Sequence, residues 1–190
     1  LAGAWSPQRT VHAAEAKRQT SWIANEGGPD SAQYSNLTQI NKKNVNQLQQ
    51  VWFFPAGNNG FRFGSNPLVI DGVMYVVGAY NNLVAVDAAT GKEIWVWDSG
   101  KANSSQTRGV SYWESKDRRD RRLFYATSNK MHAIDAQTGK LIDSFGDHGS
   151  IDLRENLGRD PKTIRQIESQ TPGRIFENLL ILGSATGEDY

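Results

Sequence analysis

Ala85-Val86-Asp87-Ala88-Ala89-Thr90-Gly91-Lys92-Glu93-Ile94 returns 48 residues later as Ala133-Ile134-Asp135-Ala136-Gln137-Thr138-Gly139-Lys140-Leu141-Ile142. A period of about 40 to 50 residues is that of propeller blades, in which each repeat is one small antiparallel sheet. Around the first copy, four runs rich in β-branched and aromatic residues predict strands at 67–70, 73–77, 83–87 and 93–98, bounded by turn residues. Asp71-Gly72 predicts a tight hairpin, because glycine accepts the positive φ that a primed turn requires. In Ala88-Ala89-Thr90-Gly91-Lys92, Gly91 is the natural left-handed position. The second unit repeats the scheme at 110–114, 123–128, 131–135 and 141–145, and a third begins at 174–177 and 179–183. Upstream, 44–50 predicts a short helix and 51–54 a strand.

The fold class is therefore all-β, a propeller of which about two and a half blades are present. A blade cannot bury both faces of its sheet alone, and closed propellers have at least four, so the sequence is expected to be part of a longer chain. Residues 1–16 end in Ala14-Glu15-Ala16, the A-x-A form of a signal-peptidase site, and are read as a secretory signal remnant. Residues 17–190 then form the propeller segment. This implies a periplasmic or secreted protein.

Composition sets further bounds. With 38% hydrophobic and 22% charged residues in 190, a core is possible and general disorder is not expected. The 21 basic residues nearly cancel 20 acidic ones, so no nucleic-acid partner is indicated. The absence of cysteine excludes disulfides and thiolate sites. No apolar run approaches a membrane-spanning length.

Four ordered segments carry a family resemblance. Tyr34-Ser35-Asn36-Leu37-Thr38-Gln39-Ile40-Asn41 with Asn44, Val45 and Leu48 is similar to the N-terminal signature of quinoprotein alcohol and glucose dehydrogenases. Asn66-Pro67-Leu68-Val69-Ile70-Asp71-Gly72-Val73-Met74-Tyr75-Val76 resembles that family's first complete blade. Arg108-Gly109-Val110-Ser111-Tyr112-Trp113 resembles its arginine motif, and Gly183-Ser184-Ala185-Thr186-Gly187-Glu188 its metal and quinone loop. The repeats themselves, with a tryptophan after Thr-Gly-Lys, look like its tryptophan-docking blades. The resemblance implies an eight-bladed propeller that oxidises a sugar or alcohol with pyrroloquinoline quinone (PQQ) and Ca2+, or another divalent or lanthanide ion. It also implies an electron acceptor such as a cytochrome or membrane quinone. One departure is that the methanol and ethanol enzymes place two adjacent cysteines before the arginine motif, where this chain has Asn103-Ser104-Ser105-Gln106-Thr107. That is more like the glucose, quinate and polyol dehydrogenases.

Strand direction supplies a check independent of the family. Strands alternate within a blade, so the start of the first strand and the ends of the second and fourth lie on one face. Arg108 precedes a first strand and Glu188 follows a second, so both belong to that face, and the insertion at 146–170 overhangs it. PQQ carries three carboxylates and a quinone whose reduction builds negative charge, which a fixed guanidinium at Arg108 would hold. The alternative for Arg108 is an arginine tying two blades together through carbonyl groups. Glu188 is the expected metal ligand, a hard oxygen donor for calcium, or else a solvated loop acid. Ser169, Thr171, Thr186 and Gly187 are the remaining cofactor-binding candidates. The family's catalytic aspartate is expected beyond this sequence, so no catalytic residue is assigned here.

Other features favour plain structural roles. Residues 114–122 read as a solvated hairpin loop, His132 as a strand residue, His148 as a surface residue, and Trp95 and Trp97 as packing between blades. A second reading of the whole is a noncatalytic propeller of the same repeat type, serving as an assembly scaffold or sensor domain.

Overall fold

The computed structural model describes residues 21–28, 31–56, 64–100 and 107–186. The signal remnant expected at 1–16 lies outside them. Strands β1 (Leu68–Ile70), β2 (Val73–Val77), β3 (Leu83–Asp87) and β4 (Glu93–Trp97) form one antiparallel sheet in sequence order. A second sheet repeats it with β5 (Ser111–Glu114), β6 (Arg121–Thr127), β7 (Lys130–Asp135) and β8 (Ser150–Asp152). Next come β9 (Ile167–Glu168), β10 (Arg174–Phe176), β11 (Leu179–Ile181) and β12 (Ala185–Thr186). Here β10 and β11 pair as a hairpin, and β12 pairs back onto β9.

The two sheets stack through the face defined by the period of two. Leu68, Ile70, Tyr75, Leu83 and Ala85 of the first blade meet Val110, Leu123, Tyr125, Ile134 and Ala136 of the second. Two tyrosine hydroxyls cross this apolar layer and reach carbonyl groups of the other blade: Tyr75 donates to Ala136 at 3.1 Å and Tyr125 to Asn81 at 3.0 Å. Burial pushes the Tyr75 hydroxyl up to about 12.

The repeated turn explains why the blades stack in one orientation. Asp87 Oδ1 accepts from Ala89 N, Thr90 N and Thr90 Oγ1 at 2.8–3.0 Å, and Asp135 does the same with Gln137 and Thr138 at 2.8–2.9 Å. The Thr90 hydroxyl and the two amides hold the Asp87 carboxyl below its usual range. Each turn then presents a glycine at positive φ, +71° at Gly91 and +70° at Gly139. An indole lies on each glycine. Trp95 sits where a Cβ on Gly139 would come within 2.6 Å of its ring, and Trp52 stands at 2.5 Å from the same position on Gly91. Both rings donate Nε1 to a carbonyl one residue past the aspartate, Trp95 to Ala136 and Trp52 to Ala88, at 3.2 Å. At roughly 25 cal/mol per Å2, burying half an indole stabilises by about 2 to 3 kcal/mol.

Three predicted elements differ. The strand expected at 141–145 is reduced to one bridge, Leu141 to Ile134. Ala133 accepts from Ile142 N and donates to Gly149 O, so the chain leaves the sheet after 142 and rejoins it at 149. Gly146 and Gly149, both at positive φ, turn the excursion, and β8 takes the outer place instead. The segment 51–54 exposes Val51 and Phe53, but among the described residues it pairs with no strand and is held by Trp52. The helix expected at 44–50 is a single 3-10 turn, Val45–Gln47. There Asn44 Oδ1 accepts from Asn41 N and Asn41 Oδ1 from Lys43 N, and these local bonds compete with longer helix.

The hairpin loop expected at 114–122 is 115–120, with Glu114 ending β5 and Arg121 and Arg122 in β6, and it does more than sit in solvent. Arg118 joins Glu114 of its own blade to Asp71 of the first, and Arg121 lies 3.5 Å from Asp71. His132 is a strand residue, as expected, buried between Thr127 Oγ1 and Ser150 Oγ at 2.8 Å each and 4.9 Å from the Trp97 ring. Burial pushes its imidazole down to about 4, aided by the Lys130 charge.

Two outcomes follow for stability. Gly72 shares the positive φ of Gly139, but nothing lies within 4 Å of where its Cβ would stand. Gly72→Ala is expected to cost about 1 kcal/mol from backbone strain alone. Gly139→Ala should cost at least about 3 kcal/mol, because the indole must also leave. Urea unfolding of both variants measures the difference, and equal losses would remove the indole contact from the account. For His132, the folded-state value lies below the unfolded 6.5, so its contribution is complete above about pH 6.5 and declines as pH falls toward about 4. His132→Gln should flatten the pH dependence of the melting temperature across that window.

Candidate functional site

Arg108 begins the second blade, and its main chain is clamped on both sides. Its N–H donates to Gln170 O at 2.8 Å, before β10, and its carbonyl accepts from Asn66 N at 3.0 Å, before β1. Three blades therefore meet at this residue through their innermost strands. Thr107, buried, bonds Gly109 through its hydroxyl, and Gly109 adopts φ +133° with Asn66 O only 3.0 Å from where a Cβ would stand. Glycine is required there by that close approach. With its backbone fixed, Arg108 extends an exposed side chain, and among the described residues its guanidinium has no hydrogen bond or ion pair.

The role of an arginine that ties elements through carbonyl groups belongs instead to Arg174. Its guanidinium reaches Gly28 O at 3.0 Å, Asn25 O at 3.5 Å and Ser31 Oγ at 2.5 Å, with Glu26 at 3.6 Å. It holds a segment whose Trp22 pairs with Val69 on the inner edge of β1.

Two further predicted segments arrive beside Arg108. Ser169 is buried and its hydroxyl donates to Gly183 O at 3.0 Å, while Thr171 is exposed. One residue pair further, Thr186 opposes Ile167 and Ala185 opposes Glu168. The 167–171 segment thus links Arg108, through Gln170, to the 183–186 loop. Gly187 and Glu188 lie outside the described residues. Among the described residues no three His, Asp or Glu side chains gather in a cation-binding group. His148 is exposed, as expected, 3.7 Å from Asp147.

The opposite end of the innermost strands is chemically different. A groove of about 850 Å3 runs along the innermost strands from Val110 and Pro172 to this end, where Asp71, Glu114, Arg118 and Glu177 line it. Its arginines already have carboxylate partners: Asp71 and Glu114 engage Arg118, Arg174 lies 3.6 Å from Glu26, and Tyr112 donates to Glu114 at 2.8 Å. Among the described residues, the unpaired cation of the innermost strands is at the Arg108 end. An anion with several carboxylates, as PQQ is, fits a backbone-fixed guanidinium without a partner among the described residues and does not fit a groove whose arginines are already paired with carboxylates.

Sequence reasoning missed Gln170 and the part played by Gly183, which it placed only as the start of the metal and quinone loop; both act through main-chain carbonyls. Any residue type supplies a carbonyl, so no side-chain pattern marks them.

Comparison with known proteins agrees with this fold. The profile of the family described as "PQQ: Glucose/ethanol/alcohol dehydrogenase, beta-propeller domain" matches residues 22–190. The dehydrogenase subunit of alcohol dehydrogenase (quinone) from Gluconacetobacter polyoxogenes is 31% identical over 177 residues, 88% of this chain and 22% of that protein. Quinate/shikimate dehydrogenase (quinone) of Acinetobacter baylyi is 26% identical, covering 100% of this chain and 28% of its own. Quinoprotein glucose dehydrogenase of Escherichia coli is 28% identical, covering 89% and 24%. The crystal structure of quinohemoprotein alcohol dehydrogenase from Comamonas testosteroni superposes with a TM-score of 0.71 at 23% identity, over 91% of this chain and 24% of that one. The chain spans between 22% and 28% of the length of these three curated relatives. With the match running from Trp22 to the last residue and the docked tryptophan blades in place, the chain belongs to the family of PQQ-dependent glucose, ethanol and alcohol dehydrogenase β-propeller domains.

Proposed function

We propose that this chain contributes the cofactor-cradling part of a dehydrogenase that oxidises a sugar or alcohol with PQQ and a divalent or lanthanide ion. The observation that carries the reading is the convergence of Arg108, the 167–171 segment and the 183–186 loop at one end of the innermost strands, through Arg108 N to Gln170 O and Ser169 Oγ to Gly183 O. When bound, PQQ supplies a quinone that takes two electrons from the carbinol or anomeric carbon.

The chain's own residues bind and orient. Arg108, already fixed through its backbone, holds negative charge at a carboxylate or at a quinone oxygen. Thr171 offers an exposed hydroxyl to the same face, and the buried Ser169 holds the 183–186 loop against it. Thr186 and Gly187 offer small groups and main-chain amides. Glu188 would ligate the cation, whose charge polarises the quinone. The cysteine-free approach to Arg108 favours a sugar or polyol over methanol. Electrons would pass to a cytochrome or membrane quinone, in the periplasm or outside the cell.

Separable roles are expected in the full-length protein. Arg108→Ala should lower dye-linked turnover about 100-fold, and added calcium should not restore it. Glu188→Gln keeps shape but removes charge from the metal shell, so activity should fall at low calcium and recover in excess. A calcium titration of both variants, with bound PQQ read from its absorbance, makes the test. Wild-type turnover and PQQ occupancy in Arg108→Ala, or indifference of Glu188→Gln to calcium, would contradict the corresponding role.

A further inference from the structure

Asn129 lies in the turn between β6 and β7, on the Arg108 end of the blade, and touches the rim insertion at both of its ends. Its main-chain carbonyl accepts from Leu153 N at 2.8 Å, where the insertion leaves β8. Its side-chain Oδ1 accepts from Ile167 N at 2.7 Å, and its Nδ2 donates toward Arg165 O at 3.5 Å, where the insertion returns. Within a strand, the carbonyl of one residue and the N–H two residues later face the same edge. The Asn129 amide therefore meets 165–167 as a peptide group of a neighbouring strand would, while Glu168 pairs with Ala185 of β12.

The consequence lies downstream. Ile167 begins the segment whose Ser169 bonds Gly183 and whose Gln170 carbonyl clamps Arg108.

We infer that Asn129 is a positioning residue for the cofactor cradle, stapling the rim insertion so that 167–171 is held at the height at which Arg108 and the 183–186 loop face one ligand. This rests on the cofactor reading above, and it assigns a role to a residue that does not itself reach the ligand.

In the full-length apoprotein, Asn129→Ala should weaken PQQ binding about tenfold, the scale of one lost hydrogen bond to a buried donor. Hydrogen exchange should lose protection at 167–171 while β5 to β7 keep theirs. Asn129→Asp retains the acceptor for Ile167 N–H and should bind PQQ within about twofold of wild type, with protection retained. Arg108→Ala, measured alongside, reports on the cofactor reading itself. If Asn129→Ala binds PQQ as wild type does while Arg108→Ala does not, the staple is overturned and the cofactor reading stands. If both bind as wild type, the two fall together. Weakened binding in Asn129→Ala with unchanged protection at 167–171, or equal loss in the Asp variant, also overturns it.

Discussion

An indole ring laid on a turn glycine is the contact on which the rest of this structure depends. The aspartate of each repeat folds the turn by accepting three bonds from the next residues, and this leaves the glycine bare at positive φ. A tryptophan from the preceding part of the chain, Trp95 of β4 for Gly139 and Trp52 for Gly91, then covers it and donates to the neighbouring carbonyl. Ring contact fixes distance, and the single N–H bond fixes rotation. Blades that are only apolar would stack in many ways, whereas these have one.

Stacking in one way is what brings distant segments to a common end. The inner strands start in parallel positions, so Asn66, Arg108 and Gln170 become neighbours although they are dozens of residues apart, and main-chain bonds join them. The same geometry sends the hairpin turns at Asp71 and Glu114 to the other end, where Arg118 and Arg121 pair with these carboxylates and bind the first two blades. One end of the stack is thus consumed by cohesion. At the other, the Arg108 guanidinium has no hydrogen bond or ion pair among the described residues.

Much of this was legible in the sequence because blades are local objects. Strands β1 to β7 follow from period-two patterning and from Asp-Gly and Thr-Gly turns, whose conformations depend on a few adjacent residues. Legibility stopped where distant parts decide. The run 141–145 looks like a strand, but Gly146 and Gly149 allow the chain to leave the sheet, and Ser150–Asp152 competes for the same edge of β7. Trp22 pairing with Val69, and Arg174 gripping Gly28, depend on contacts across 47 and 146 residues. Arg108 was found through its motif and its strand position, while Gln170, which accepts from its N–H, and Gly183, which accepts from Ser169, act through carbonyls that every residue carries.

The Arg108 end of the stacked blades, and not the groove at Asp71 and Glu114, is the proposed seat of the cofactor. A crystal structure of the full-length protein with PQQ and calcium tests it most directly. The account predicts the Arg108 guanidinium within hydrogen-bond distance of a PQQ oxygen, with Thr171 and the 183–186 loop lining the same cavity. PQQ found in the groove beside Tyr112 and Arg118, or bound with Arg108 turned away into solvent, would contradict it.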